Sequence, residues 1–341
     1  DQNSPDNVFS LKYYLNREQY GDTPLFYGQT YNAPVKLEVK GNMCIPVEKQ
    51  GHAQYAPAPK VEGEKAPHGT TSSVGDPAKD RYVVTGYKNS YVYMDEFKML
   101  FPRMHSGQAH HVDAYKSWAD VKGKKIRYDY CGQPKTEYCP TFGENLKFFF
   151  RYQVNFMYWR YFMRNCAGRE NDRQSHGELT KGNWISGIPV IDNALYGDQS
   201  KLPTELRENK GHNVYYCLPL ILGLIGLCWQ LGKRQNEGKN KEGYRSFAIV
   251  FLLFFLTGLA IVVYLNQTPY QPRERDYAYA GSFYAFCIWI GLGVMAIIDM
   301  LNRVVKNEKA RTAVAGVAVL VTLLVPAQMA SQNWDDHDRS N

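Results

Sequence analysis

Residues 247–265, FAIVFLLFFLTGLAIVVYL, form an apolar stretch without a charged side chain. A helix needs roughly 20 apolar residues to cross a bilayer core about 30 Å thick, so this stretch predicts a membrane span. Three further stretches are almost free of charge, namely Val214–Leu231, Phe283–Leu301 and Ala313–Met329. The sequence therefore predicts an α-helical polytopic membrane protein with four transmembrane helices.

The rest of the chain has a different composition. Residues 1–213 are polar and aromatic, which predicts a region of mixed, irregular structure on one side of the membrane. The transmembrane region then covers 214–330, and a further outer segment starts at 331–341. Buried helices of a soluble protein are the alternative, but four in a row without a polar face are unusual there. The first residues do not have the pattern of a signal peptide, and we expect both ends to lie within a longer protein, of which this chain would be an internal fragment.

Basic residues between the apolar stretches predict the orientation. By the positive-inside rule, loops rich in Lys and Arg are cytoplasmic, which leaves residues 1–213 and 266–279 on the outer face. Much of the net charge of +7 lies in these loops, so nucleic acid is not an expected partner. The basic residues are Lys233, Arg234, Lys239, Lys241 and Arg245 in the first loop, and Arg303, Lys306, Lys309 and Arg311 in the last.

Cysteine and histidine give few signals of chemistry. Cys131 and Cys139 are the candidate pair among seven cysteines, as a disulfide or as free thiols. His105, His110 and His111 cluster near Asp113, but their spacing matches no metal-binding motif. We interpret them as surface histidines and predict no metal site.

Residues 145–168 are dense in aromatic rings that alternate with Lys147, Arg151, Arg160 and Arg164. Rings and basic groups both favour the headgroup layer of a membrane, which predicts an interfacial helix. A core helix of the outer region is the alternative. A fifth span is less favoured, because Arg151 and Arg160 would lie in hydrocarbon.

The loop after residue 265 offers the best candidate site. Arg273 and Arg275 follow two prolines at the end of a predicted span, where the phosphate of a lipid would lie. Because guanidinium groups bind phosphate through a planar fork, we predict that both bind a donor phosphate. Salt bridges that fasten the loop to the outer region are an equally open interpretation. The supporting residues are Tyr270, Gln271, Glu274 and Asp276.

Several motifs together resemble a known family across nearly the whole chain. They resemble the Bacteroidetes membrane proteins called domain of unknown function 2723, grouped as glycosyltransferase family 117 and related to protein O-mannosyltransferases. The residues that carry the resemblance are 1–7 (DQNSPDN), 101–104 (FPRM), 140–146 (PTFGENL), 156–162 (FMYWRYF), 182–187 (GNWISG), 265–284 and 332–339 (QNWDDHDR). Residues 56–80 are the least typical.

The resemblance implies a GT-C-type enzyme of the inner membrane. Such an enzyme takes a sugar from a polyprenyl phosphate and attaches it to Ser or Thr of a secreted protein on the periplasmic side. The family's catalytic acid lies in an earlier loop that nothing here matches, so the catalytic residues are expected upstream of this fragment. The partners implied are the lipid bilayer, the lipid-linked sugar and the protein acceptor, and a role for a divalent metal is left open.

Two other functions compete with this one. A non-catalytic assembly or scaffold protein fits a fragment without a complete active site. A transporter fits less well, because the predicted spans have almost no ionisable residue in their centres, Asp299 being near an end.

Overall fold

The computed structural model describes residues 8–15, 23–41, 43–57, 82–236, 241–271, 276–305 and 307–334. Helices make up 54% of the structure. Contacts divide the chain into two compact units, Asp1–Leu146 and Lys147–Asn341. The sequence predicted a different kind of boundary, after residue 213, between the outer region and the membrane region. That boundary stays a prediction. The predicted excursion at 56–80 lies outside the described residues from residue 58 onwards.

The first unit consists mainly of short antiparallel strand pairs. Its helices are α1 (Val8–Leu15) and α2 (Ala109–Ala119), and a 3₁₀ turn spans Asp95–Phe97. The paired strands are β1 (Tyr27–Gln29) with β8 (Lys98–Leu100), β2 (Leu37–Lys40) with β3 (Met43–Pro46), β4 (Glu48–Lys49) with β7 (Ser90–Tyr91), β5 (Ala53–Pro57) with β6 (Tyr82–Tyr87), and β9 (Lys124–Tyr130) with β10 (Gln133–Cys139).

A disulfide between Cys44 and Cys131 joins two of these hairpins, with the two Cα atoms 6.1 Å apart. The candidate pair Cys131–Cys139 is therefore wrong. Cys139 is a buried free thiol, whose sulfur lies 3.6 Å from the hydroxyl of Thr30. Disulfides of this kind persist in oxidising compartments.

The histidine cluster is not wholly on the surface. His111 is buried on α2, and its Nδ1 lies 2.8 Å from the hydroxyl of Ser106. Burial, followed by the neighbouring His110, lowers the pKa of His111. The interpretation as surface histidines is corrected for this residue, whose imidazole packs as a neutral core group.

A long helix leads into the second unit. It consists of α3 (Phe142–Phe148), a π-helical part (Phe149–Trp159) and α4 (Arg160–Cys166). Its start follows from a capping box, in which Glu144 Oε2 accepts from the backbone N–H of Thr141 (2.7 Å) and Thr141 Oγ1 accepts from that of Glu144 (3.3 Å).

The rings of this helix are mostly covered by protein. Phe162 packs edge to face on Phe286 with centroids 4.8 Å apart, and Arg160 and Arg164 are buried. The sequence suggested that these arginines face lipid headgroups. In the structure they are instead buried by protein. Aromatic rings are equally suited to contact apolar helices or lipid tails, so the sequence pattern does not show which of the two surrounds them. The depth of the helix in a bilayer stays a prediction.

The remaining elements of the second unit are a polar segment and a series of apolar helices. The polar segment contains β11 (Gly168–Arg169), α5 (Pro189–Tyr196), a 3₁₀ turn (Gln199–Lys201), α6 (Thr204–Arg207) and β12 (Asn213–Val214). The apolar helices are α7 (Leu218–Asn236), α8 (Lys241–Leu256), α9 (Leu259–Leu265), α10 (Ala280–Val304), α11 (Glu308–Thr322) and α12 (Leu324–Asn333).

Among the described residues, three helices and not the predicted four are long and apolar enough to cross a membrane: Tyr244–Leu265, Tyr277–Val304 and Lys309–Asn333. The predicted first span is too short, because its helix begins at Leu218 and its apolar part ends at Gly232. Tyr216 and Cys217, which precede α7, have positive φ angles of 53° and 56°. Fifteen helical residues rise only roughly 22 Å, less than the hydrocarbon core.

Glycines allow α7 and α10 to pack in close contact. A methyl group at Gly226 would collide with the backbone carbonyl of Trp289, and one at Gly293 with that of Leu222. Farther along, the indole N–H of Trp229 donates to Asp299 Oδ2 (3.1 Å), and that of Trp289 donates to Gln230 Oε1 (2.8 Å). The two helices are therefore held together both by shape and by hydrogen bonds.

We expect Gly226→Ala to lower the stability of the full chain by about 1–3 kcal/mol, because the added methyl overpacks the contact with α10. The matched control is Gly232→Ala on the same helix, where nothing lies within 4 Å of the added methyl. The control should be neutral or slightly stabilising, since alanine favours a helix. Thermal unfolding of both variants in detergent checks the prediction, and equal effects would contradict it.

Counting thiols tests the disulfide. The denatured, unreduced protein should have five reactive thiols, since two of seven cysteines are paired. Cys44→Ser should raise the count to six, and Cys139→Ser should lower it to four. The reverse pattern would restore the Cys131–Cys139 pair. Loss of the disulfide should also reduce stability by about 2–5 kcal/mol.

Candidate functional site

The polar segment from 167 to 216 forms the best-defined polar site in the described part of the second unit. Its two ends are joined by the antiparallel pair β11–β12, in which Gly168 faces Val214. Glycine is required at 168, because its φ is 150° and a methyl there would lie 2.6 Å from the carbonyl of Asn213. The segment is thus a closed excursion with its own internal contacts.

Buried polar side chains fasten this segment to α4. Arg160 Nη1 donates to the carbonyl of Gly182 (2.7 Å), and its guanidinium lies 4.1 Å from the ring centre of Phe156. Asn171 Oδ1 accepts from the backbone N–H of Gly182 (2.8 Å), and Glu170 Oε2 accepts from the amide of Asn183 (2.9 Å). Arg160 therefore acts as a structural link between the helix and the loop.

Burial shifts two titrating groups here. It raises the pKa of Glu170, although hydrogen bonds from Asn183 oppose this effect. Burial and the nearby carboxylates of Glu170 and Asp192 raise the pKa of Tyr196 to about 12. The phenol therefore stays neutral at physiological pH.

Beside this cluster is a cavity of about 280 Å³. Its surface is more apolar than polar, with the polar and ionisable side chains of Asp192, Asp198 and His212 among the lining groups. Its lining consists of Ile185, Gly187, Pro189, Asp192, Asn193, Asp198, Gln199, Ser200, His212, Val214 and Tyr216. A cavity of this size holds a small molecule or a single side chain.

The hydrogen bonds of the cavity's ionisable residues define what each can do. Asp192 accepts three, from the N–H (2.7 Å) and hydroxyl (2.8 Å) of Ser186 and from the N–H of Gly187 (2.8 Å), so it holds the loop. His212 Nδ1 lies 3.0 Å from the carbonyl of Glu170, which only accepts. Nδ1 therefore carries a proton, because only an N–H can donate to this carbonyl.

The loop predicted to bind phosphate is held by the same region. Gln153 Nε2 donates to Asn266 Oδ1 (3.1 Å) and to the carbonyl of Gln267 (3.0 Å), and Gln174 Nε2 donates to the carbonyl of Gln271 (3.2 Å). The ring of Tyr270 lies 5.0 Å from that of His176. The start of the loop is thus fixed against helix 149–159 and the polar segment.

The predicted site residues are described only in part. Tyr270 and Gln271 lie on the fixed portion of the loop, and Gln271 Nε2 also donates to the carbonyl of Thr268 (3.0 Å). Arg273, Glu274 and Arg275 lie outside the described residues, as does the side chain of Asp276. Phosphate binding by the two arginines therefore stays a prediction.

Sequence reasoning missed the cavity and the buried cluster. The cluster residues are separated by irregular segments, so no spacing brings them together. The signal that was available is the i, i+4 pair Arg160 and Arg164, which was assigned to lipid headgroups. In the described ranges, no group of three or more His, Cys, Asp or Glu side chains is placed to hold a metal ion.

Two carboxylate variants should respond oppositely. Asp192→Asn should cost about 1–3 kcal/mol, because its amide N–H₂ would face an N–H that now donates to a carboxylate oxygen. Glu170→Gln keeps an acceptor for Asn183 and removes a buried charge, so it should be at least as stable at pH 7. That advantage should vanish as the pH falls through the raised pKa of Glu170, where the native carboxyl becomes neutral. Unfolding of both variants between pH 8 and pH 5 checks this, and a large loss in Glu170→Gln at pH 7 would contradict it.

Comparison with known proteins gives one match. A family model described as a family of unknown function (DUF8416) matches residues 21–150. No curated protein and no solved structure matches the chain. The chain is thus similar to this family over most of its first unit, and the match does not reach the candidate membrane spans.

Proposed function

We propose that this chain is part of a GT-C-type glycosyltransferase of the inner membrane. In this proposal, it transfers a sugar from a polyprenyl phosphate to Ser or Thr of secreted proteins, with residues 1–213 in the periplasm. The resemblance in the motifs of residues 140–146, 156–162 and 265–284 is its main support.

Among the structural observations, the position of one loop supports this proposal best. The loop 266–271, which lies between two candidate spans, is fixed by Gln153, Gln174 and His176 rather than extending freely. This places the start of the loop at a span end, where the phosphate of a membrane-embedded lipid would be exposed. A fixed loop is suited to hold the donor without a large entropic cost on binding.

The sidedness has independent support. Gln153 and Gln174 contact the 266–271 loop directly, so they lie at the same end of the spans as this loop. The helix α7, packed along α10 as far as Asp299, then carries the chain to the opposite end. The basic residues Arg303 and Arg311 lie at the opposite ends of the spans, as the positive-inside rule requires of a cytoplasmic loop. The disulfide Cys44–Cys131 agrees with an oxidising periplasmic side.

In the proposed reaction, this chain stabilises the leaving phosphate, and a residue upstream of it serves as the base. A base must take the proton from the acceptor hydroxyl as its oxygen attacks the anomeric carbon. The lipid phosphate leaves with the bonding electrons and gains negative charge, which Arg273 and Arg275 are proposed to stabilise. The base is expected in the upstream loop, as in the family that the chain resembles.

A scaffold protein without catalytic activity is the main alternative, and a transporter is a weaker one. The buried network around Arg160 and Glu170 is equally compatible with a structural outer domain. The glycans of secreted proteins from cells with and without the full gene separate these functions. Unchanged glycans would reject the enzyme.

Arg273→Lys and Arg275→Lys test the phosphate site in the full-length protein. Both should lower sugar transfer at least tenfold with little loss of thermal stability, because lysine keeps the charge but not the planar fork. Loss of such a contact costs on the order of 2–5 kcal/mol. The matched control is Arg207→Lys, a surface arginine whose only described ion pair, with Glu208, spans 3.7 Å. Normal sugar transfer in both variants would reject the assignment. A loss of thermal stability as large as the loss of transfer would also reject it.

A further inference from the structure

In helix α5 the charged residue is buried and the apolar residues are exposed, which is the reverse of a helix in a water-soluble protein. Its charged residue Asp192 is only 4% exposed, whereas Val190 is 81%, Leu195 48% and Ile191 41% exposed. A helix in water buries its apolar face and exposes its charges. Here the carboxylate is enclosed by the N–H groups of Ser186 and Gly187, and the apolar side chains face outwards.

This helix is attached at the ends of the apolar helices. Gly187, just before α5, packs so closely on Val214 and Tyr216 that a methyl group at 187 would collide with the Val214 side chain. Val214 in turn is bound to the candidate span Lys309–Asn333, since its carbonyl accepts from Gln328 Nε2 (3.1 Å). The N-terminus of α5 therefore lies next to the end of a span.

The surroundings of α5 also favour lipid over water. Ile188, at its N-terminus, is 40% exposed and extends the apolar face. On the other side, the exposed residues Leu218 and Ile221 continue it along the start of α7. The exposed basic side chain of Lys201, whose Nζ lies 3.2 Å from Asp198 Oδ2, follows within five residues of the helix, a distance from which such a side chain reaches headgroups.

We propose that α5 lies in the interface of the outer leaflet, with Val190, Ile191 and Leu195 in contact with lipid acyl chains. Burial of an apolar helix face just below the headgroups is the known mode of interfacial helices. The cavity lined by Asp192 and His212 would then lie directly at the membrane surface. This inference does not depend on glycosyl transfer.

Spin labelling of the full chain in phosphatidylcholine vesicles tests the proposal. A nitroxide at Val190→Cys should collide often with oxygen, which concentrates in acyl chains, and rarely with a water-soluble nickel chelate. The control is Leu100→Cys on β8, which is also well exposed and belongs to the sheet-rich unit. It should show the reverse preference. Cys217, Cys228 and Cys287 are replaced by Ala in both, since they are not fully buried.

We expect the ratio of oxygen to nickel accessibility at 190 to exceed that at 100 by several-fold. A nickel accessibility at 190 equal to that at 100 would overturn the proposal. Low accessibility to both reagents would also overturn it, because a protein partner or a second copy would then cover the face. Spin–spin broadening between labels would identify the second copy. The mild change to cysteine on an exposed face leaves folding intact, which circular dichroism verifies.

Discussion

The packing of helix 142–166 against α8 and α10 is the contact on which the second unit depends. Phe162 is buried among Phe254, Phe283 and Phe286, with ring centroids 4.8–6.2 Å apart. Three aromatic pairs of this kind add roughly 0.5–1.5 kcal/mol each beyond the area they bury. Without this contact, Arg160 would have no fixed position from which to hold the loop at Gly182, and Gln153 would not reach the loop at Asn266.

The π-helical part of the same helix sets which side chains face the apolar helices. A π-helix forms its hydrogen bonds over five residues, so side chains five positions apart lie near one face. Gln153 and Tyr158 are such a pair: the first binds Asn266, and the second lies 2.6 Å from the hydroxyl of Ser282. The first contact is to the first residue of loop 266–279, and the second is to α10, just after the loop ends. The widened helix thus fixes both ends of this loop.

Composition alone predicted the apolar helices of the C-terminal third, because a long run of uncharged, apolar residues rarely occurs outside a membrane-spanning or buried helix. It misjudged the first of them, since Val214–Cys217 look equally apolar but are bound to Gly168 and the end of α12. It also misjudged the environment of Arg160 and Arg164. The partner of Arg160 is a backbone carbonyl at Gly182, which no pattern of side chains reveals. The partner of Cys131 was missed because Cys44 is 87 residues away, and in sequence nothing favours it over Cys139.

The position of the disulfide has a consequence for the integrity of the chain. Cys44 and Cys131 lie on either side of residues 58–81, the stretch richest in Pro, Gly, Ser and Lys. A protease that cut this stretch would leave two fragments that remain covalently joined. The nicked protein would migrate as one band on a gel until a reductant separated it. A chain cut in this way would lose continuity of its backbone and still keep the two parts of its first unit joined.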